Sequence, residues 1–225
     1  MHVPSLPEDL DRPARVWARA VTLALLERAC SRRREHDLDD EGVWCHTTGA
    51  GGWWRVALLD ADRAVICGQD PDGSHTHVGG EQIDFLAGGP DWLPWERLRD
   101  DAEGNLLGFV YWWDEGAWHR IAYPRELRED GMVGTAAWAG SAEEFLVTAL
   151  GECGDGMAPG QEAVFADALS AFLAGAEEGA ADGGAVTALL AATRPGGVSE
   201  ERLRKALDLA DRAGLTGRRP LGTAR

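Results

Sequence analysis

The segment Leu106–Tyr123 reads LLGFVYWWDEGAWHRIAY, and it decides the fold class of the chain. Its two halves, Leu106–Asp114 and Ala117–Tyr123, are rich in aromatic and β-branched residues, which favour strands. Glu115-Gly116 between them has the composition and length of a tight turn. The segment therefore predicts a β-hairpin.

Two further stretches upstream predict strands of the same sheet. Trp53–Asp60 and Arg63–Gly68 flank the polar turn Asp60-Ala61-Asp62, a pattern that predicts a second hairpin. Val43–Thr47 is a shorter run of β-forming residues. Taken together, these runs predict an antiparallel sheet of about five strands.

A helix is predicted before the sheet, from Arg12 to His36, with Asp11 as its N-cap and Pro13 in its first turn. Apolar residues recur along it at spacings of three and four, which indicates one buried stripe. The stripe consists of Val16, Trp17, Ala20, Val21, Ala24 and Leu25. The stripe needs a sheet or another helix to cover it.

The composition changes near Gly140. Nine of the ten tryptophans lie between positions 44 and 138, and none follows Trp138. The last third is rich in Ala, Leu, Glu and Gly instead. We therefore predict an α+β fold: an N-terminal helix packed on a Trp-rich antiparallel sheet in residues 1–140, followed by a helical C-terminal region in residues 141–225.

Helix signals recur through this C-terminal region. Ser141 and Glu144 match a capping box, and Gly151 and Gly154 predict the end of the first helix. The later helices are predicted at Gln161–Ala174, Gly184–Thr193 and Ser199–Ala213, with Gly214 as a stop and a frayed tail at Thr216–Arg225.

The last two of these helices are joined by Pro195-Gly196-Gly197 and resemble a helix-turn-helix only superficially. The final helix carries acids among its basic residues, which disfavours binding to DNA, so a packing hairpin is favoured. These acids are Glu200, Glu201, Asp208 and Asp211.

The overall charge argues against a nucleic-acid partner. The chain has 38 acidic and 22 basic residues, which gives a net charge of −16 and repels phosphate backbones and anionic lipid. No apolar run approaches the roughly 20 residues of a membrane span, and the N-terminus lacks the features of a signal peptide. Four dispersed cysteines fit reduced thiols. We therefore expect a cytoplasmic protein, and the single lysine, Lys205, among many arginines suggests a GC-rich bacterial genome.

One segment, Asp70–Gly80, has the residue types of a metal site. Asp70, Asp72, His75 and His77 lie within eight residues, and alternate positions of an extended segment place both histidines on one side. The segment also holds Pro71 and several glycines and lacks the spacing of a calcium loop, so a surface loop is favoured over a metal site. No cofactor is predicted.

Other catalytic motifs are weak. The glycine cluster Gly49–Gly52 precedes a strand instead of a helix, so it is interpreted as a turn and not as a phosphate loop. No GxSxG motif occurs, and Cys45-His46 would point to opposite faces of a strand. The chain is therefore more readily interpreted as a non-enzyme.

The paired aromatic residues offer a stronger indication. In Trp53-Trp54 and Trp112-Trp113, neighbouring side chains point to opposite faces, so each sheet face carries large rings that must be covered. The cover is either internal, from the C-terminal helices or Ile83–Arg99, or a protein partner. Ile83–Arg99 itself predicts a short helix or turns.

Charge favours a basic partner for any ring that stays uncovered. Between Asp60 and Glu103 the chain has eleven acids and three bases, which accounts for half of the net charge. The predicted partner-binding residues are Trp53, Trp54, Trp92, Trp95, Trp112, Trp113, Asp70, Asp72 and Asp91.

Two functional hypotheses follow. The first is a non-enzymatic binding protein with an acidic, aromatic surface for a basic protein partner, for example an inhibitory or toxin-neutralising protein. The alternative is a small-ligand-binding protein or metal-dependent enzyme, whose Trp-lined pocket is closed by Asp70–Gly80.

Overall fold

The computed structural model of the chain has an α+β fold, and it describes residues 1–31, 33–48, 51–60, 62–153, 157, 160–194 and 196–216. The α-helices in these ranges are α1 (Pro13–Cys30), α2 (Trp95–Glu103), α3 (Met132–Ala136), α4 (Ala142–Cys153), α5 (Gln161–Glu177), α6 (Gly183–Ala191) and α7 (Glu200–Arg212). The strands are β1 (His36–Asp39), β2 (Gly42–His46), β3 (Trp53–Leu58), β4 (Ala64–Gln69), β5 (His77–Val78), β6 (Glu81–Gln82), β7 (Phe109–Asp114) and β8 (Ala117–His119).

Six of these strands form one antiparallel sheet in the order β1-β2-β3-β4-β7-β8, while β5 and β6 pair separately. Both predicted hairpins are present. β7 and β8 pair Trp113 with Trp118, and the turn between them has positive φ at Glu115 (50°) and Gly116 (82°). Positive φ at both turn residues matches the strand twist, which explains why Glu-Gly fits there.

The sheet has one strand more than the approximate number predicted, and the predicted first helix was too long. The helix ends at Cys30, and His36–Asp39 forms the edge strand β1, whose Leu38 pairs with Val43 of β2. The reason lies in Glu27, whose carboxylate accepts the backbone N–H groups of Glu35 (2.8 Å) and His36 (3.2 Å). These bonds reverse the chain after the helix and align it along the sheet.

The start of α1 also differs from the prediction. Arg12 occupies the N-cap position, while the carboxylate of Asp11 instead pairs with Arg15 (3.2 Å) and Arg19 (2.9 Å) in the following turns. Pro13 begins the helix, as its fixed φ and missing N–H allow.

The helix α1 is central to the molecule. One side packs on β1, β2 and β3, and the other contacts α4, α5 and α7. Its buried residues accordingly include Val16, Val21, Leu23 and Leu26, which occupy all sides of the helix and not the single stripe predicted. The C-terminal helices therefore fold onto α1 and not onto the outer face of the sheet.

Serine hydroxyls cap two helices of the C-terminal region, at Ser141 as predicted and at Ser199, which was predicted only as the start of a helix. The N–H of Glu144 donates to Ser141 Oγ (3.2 Å), and that of Arg202 donates to Ser199 Oγ (3.4 Å). Gly214 follows α7 with a φ of +75°, as a helix stop requires. Helices α6 and α7 pack their apolar faces into the core, with Leu189, Leu190 and Leu209 buried.

The division near Gly140 remains a prediction, and one hydrophobic core joins residues from both sides of it, including Val21, Trp54, Phe145 and Leu209. A second core lies on the opposite face of the sheet. In the described parts of the chain, no helix has the length and apolar character needed to cross a membrane.

Several predictions fall wholly or partly on residues that the structure does not describe. They concern Arg32 of the predicted first helix, Gly49 and Ala50 of the glycine cluster, Ala61 of the hairpin turn, Gly154, Pro195 and the tail from residue 217. These predictions lie outside the described residues.

Candidate functional site

The outer face of the sheet, which points away from α1, is only partly covered. Side chains alternate along each strand, so Trp54 points toward α1 while Trp53 points outward. On β4 and β7, the outward residues are covered by the segment 83–107, which supplies Phe85, Leu93 and Leu98 to the second core. The outward side chains of β1 and β2, together with Trp53 of β3, form the remaining, open part of this face.

A groove lies at the border between the covered and open parts. Its main cavity has a volume of about 450 Å³ and is walled by Trp44, Trp53 and Leu106. A smaller cavity of about 180 Å³ adjoins it and shares Arg55 and Arg97. We call the two cavities together the outer groove, defined by Asp39, Asp40, Glu41, Trp44, His46, Trp53, Arg55, Arg97, Asp101 and Leu106.

The polar floor of the outer groove is an ion-pair network. Arg55 donates two parallel hydrogen bonds to Asp39, at 2.7 and 3.0 Å, and its Nη1 lies 3.4 Å from Glu41. Arg97 also binds Glu41 and lies 3.2 Å from Asp101. Four carboxylates and two guanidinium groups line the groove, so its net charge is negative.

The charge of Asp39 is held by this network. Partial burial raises the pKa of its carboxyl group, but the hydrogen bonds and charge of Arg55 outweigh burial, so that the net pKa lies below the usual value. Asp39 therefore remains ionised at neutral pH and keeps Arg55 oriented.

The structure separates the predicted aromatic residues into two groups. Trp54 and Trp112 are buried, at 3% and 8% exposure, and are therefore parts of the two cores. Trp53 is half-buried and borders the outer groove, where its Nε1 donates to the carbonyl of Leu106 (2.9 Å). Trp113 is half-buried too, but it packs edge-on against Trp118 on the α1 side.

Trp92 and Trp95 belong to the covering segment and do not line the outer groove. Trp92 donates to Asp114 (3.3 Å) and lies under the Arg63 guanidinium, and Trp95 donates to the Pro90 carbonyl (3.1 Å). Both rings are half-buried. Their polar and cationic contacts are already supplied from within the chain.

The predicted acidic residues Asp70, Asp72 and Asp91 lie apart from the outer groove. Asp72 and Asp91 are exposed, whereas Asp70 is half-buried and accepts the N–H of Asp72 (3.1 Å) in a turn. The Asp70–Gly80 loop therefore does not close the groove.

The candidate metal ligands of this loop are not gathered either. His75 Nδ1 accepts the N–H of Arg128 (3.4 Å), and His77 contacts Thr76 (3.0 Å). Within the described ranges, no three ligand atoms from Asp70, Asp72, His75 and His77 lie within 4.8 Å of one another.

A buried cluster that the sequence analysis missed does meet this criterion. It joins Glu27 of α1, His36 of β1 and Glu152 of α4, whose ligand atoms all lie within 4.8 Å of one another. The sequence does indicate that Glu27 is buried, because Glu27 continues the three- and four-residue spacing of apolar residues that includes Val16 and Ala20. Its partners are distant in sequence, so their meeting could not be predicted.

The groove residues Trp44, Arg55 and Asp101 were also missed. Trp44 and Arg55 are directly paired across β2 and β3, a proximity that needed the strand register. Alternation along Val43–Thr47 could have indicated that Trp44 and His46 share one face.

The four cysteines are free thiols, and they differ in environment. Hydrogen bonding to the Cys153 thiol, together with Thr193 and Arg194, outweighs burial and lowers the pKa of Cys30 below the usual value of a thiol. Burial raises the pKa of Cys67 to about 12. Cys30 is therefore the better nucleophile at neutral pH.

We expect iodoacetamide at pH 7.5 to alkylate Cys30 at least about tenfold faster than Cys67, because the thiolate is the reacting form. Peptide mass spectrometry over a time course measures both rates. Cys153→Ala, which removes the hydrogen-bond donor, should slow the reaction at Cys30. Equal rates at Cys30 and Cys67 in the native protein would contradict the prediction.

Comparison of the chain with models of protein families, with curated proteins and with solved structures finds no match to any of them.

Proposed function

We propose that this protein is a non-enzymatic binding module that engages a basic protein partner through the outer groove. The observation that carries the proposal is the incomplete cover of the outer sheet face, where Trp44 and Trp53 stand half-buried beside a negatively charged ion-pair network. The segment 83–107 seals the rest of this face.

The aromatic walls suit protein recognition. Tryptophan and arginine are strongly enriched among the residues that dominate binding energy at protein interfaces. They contribute most in pockets from which a bound partner excludes water. Trp44, Trp53 and Arg55 converge on one cavity. A partner side chain that enters the cavity would contact both rings and displace water from them.

The charge of the groove favours a basic partner. Asp39, Glu41 and Asp101 are partly neutralised by the two arginines, whereas Asp40 is exposed and forms no ion pair among the described residues. The chain as a whole carries a charge of −16, which adds long-range attraction for a cationic surface. An inhibitory or toxin-neutralising role is one biological form of this binding.

The first step of the test is a pull-down of binding partners. The immobilised protein is exposed to a lysate of its source organism, captured proteins are identified by mass spectrometry, and a purified candidate is then titrated by calorimetry. Trp44→Ala should weaken the binding of a true partner about 30-fold, as expected for a residue worth about 2 kcal/mol. Affinity should also fall when salt is raised from 50 to 300 mM, roughly a twofold shortening of the screening length.

The matched control is Trp92→Ala, which removes an equally half-buried ring outside the outer groove. It should leave the affinity unchanged, and circular dichroism should show that both variants are folded. The proposal fails if no basic protein is retained, or if Trp44→Ala and Trp92→Ala bind the candidate equally well.

One observation favours a second candidate, a small-ligand-binding protein. The main cavity of the outer groove has a volume of about 450 Å³, within the range of ligand pockets, and the buried Nε of Arg55 has no hydrogen-bond partner in the described structure. A ligand with a carboxylate or carbonyl acceptor would satisfy it. A thermal-shift screen of small carboxylates, with Trp44→Ala as the control, separates this candidate from the first.

A further inference from the structure

The buried cluster of Glu27, His36 and Glu152 lies where α1, β1 and α4 meet, on the opposite side of the sheet from the outer groove. The three residues are 0%, 4% and 7% exposed. Two carboxylates and an imidazole so deeply buried are costly unless their charges and lone pairs are satisfied.

Two atoms in this cluster are not satisfied. Neither Nδ1 of His36 nor Oε2 of Glu152 has a hydrogen-bond partner among the described residues. By contrast, Glu27 is fixed by the backbone N–H groups of Glu35 and His36. The cluster thus combines one oriented carboxylate with two buried polar atoms that have no hydrogen-bond partner.

The spacing of the ligand atoms leaves room for a metal ion. His36 Nδ1 lies 3.7 Å from Glu27 Oε1, which is too long for a hydrogen bond. Two ligands that bind a common ion at ~2.0–2.2 Å lie roughly 3–4 Å apart, depending on the angle between them. The observed separation therefore fits ligands with space for an ion between them.

We propose that Glu27, His36 and Glu152 form a buried binding site for a divalent transition-metal ion. The mixture of carboxylate oxygens and one imidazole nitrogen favours zinc or manganese over magnesium, which prefers oxygen ligands and bound water. The charge of the ion compensates both carboxylates, and the neutral imidazole completes three protein ligands.

The ring nitrogen available to the ion is Nδ1 of His36. It has no hydrogen-bond partner among the described residues and lies on the side of the ring that is 3.7 Å from Glu27 Oε1.

A metal here would join parts of the chain that are far apart in sequence. Glu27 and His36 border the turn between α1 and the sheet, and Glu152 comes from the last turn of α4. The site would therefore be structural, and it would stabilise the folded chain in proportion to metal affinity and concentration.

The test uses the full chain, stripped with a chelator and then loaded with Zn²⁺. Because the site is buried, loading is done both by long incubation and by refolding from urea with Zn²⁺ present. Mass spectrometry of the intact protein should show one ion per chain, and thermal unfolding should shift upward by several degrees with Zn²⁺ but not with Mg²⁺. Cobalt substitution should give visible d–d bands from the bound ion.

Two variants locate the site. Glu152→Gln keeps the shape of the side chain and removes its charge, and it should weaken zinc binding at least about 10-fold. The control, His75→Ala with His77→Ala, removes two exposed histidines elsewhere and should keep both stoichiometry and thermal shift. The proposal is overturned if neither loading route gives a bound ion, or if zinc binding survives Glu152→Gln unchanged.

Discussion

Replacement of Trp138 with alanine is expected to lower the free energy of unfolding by about 3–5 kcal/mol, the usual cost of truncating a buried tryptophan. Trp138 is 2% exposed, and its ring lies 4.7 Å from that of Trp54, centroid to centroid. It fills the space between the sheet and the helices on its inner face. The variant would leave a cavity at the interface between the sheet and these helices.

Thermal and urea unfolding measure this effect, which should lower the melting temperature by roughly 6–20 °C for a chain of this size. Trp138→Phe is the matched control. The indole Nε1 has no hydrogen-bond partner in the described structure, so phenylalanine loses only volume and should cost much less. A melting temperature for Trp138→Ala within 2 °C of the wild type, well below the roughly 6 °C minimum, would refute the prediction.

Asp130→Ala is expected to cost about 3 kcal/mol or more. Asp130 is 1% exposed, and its carboxylate accepts the Ser5 hydroxyl and N–H, the Tyr123 hydroxyl (3.2 Å) and the Met132 N–H (3.2 Å). Hydrogen bonds to a charged group each contribute about 1.5–3 kcal/mol, and their loss leaves several buried donors unpaired. The substitution also releases the N-terminal segment, which Ser5 attaches to the sheet.

Urea unfolding gives the stability of this variant, and hydrogen exchange shows whether residues 3–10 lose protection. Ser5→Ala removes only one side of the network and should cost about 1–2 kcal/mol. If Asp130→Ala and Ser5→Ala had the same unfolding midpoint, the carboxylate would not be the centre of the network.

Local sequence signals were sufficient for most elements of the fold. The hairpins needed only strand-forming runs separated by a short polar turn, and the cap at Ser141 needed only a hydroxyl before an apolar run. These features depend on neighbours within a few residues. They were therefore confirmed with small shifts in their ends.

The parts that sequence could not predict depend on distant contacts. His36–Asp39 is polar, and nothing local distinguishes it from the end of a helix; Glu27 makes it a strand. Similarly, Trp53 and Trp54 are adjacent and of one type, yet one borders the outer groove and the other is buried. Alternation predicted that they face opposite sides, but only the covering segment decides which outward rings remain accessible.

The central position of α1 affects how the nascent chain can fold on the ribosome. About 170 residues separate the end of α1 from the start of α7, one of its neighbours. At a synthesis rate of roughly 5–20 residues per second, on the order of 10–30 s pass between the synthesis of α1 and the synthesis of α7. During this interval the apolar surface of α1 is available to chaperones, so efficient production of the protein should depend on them.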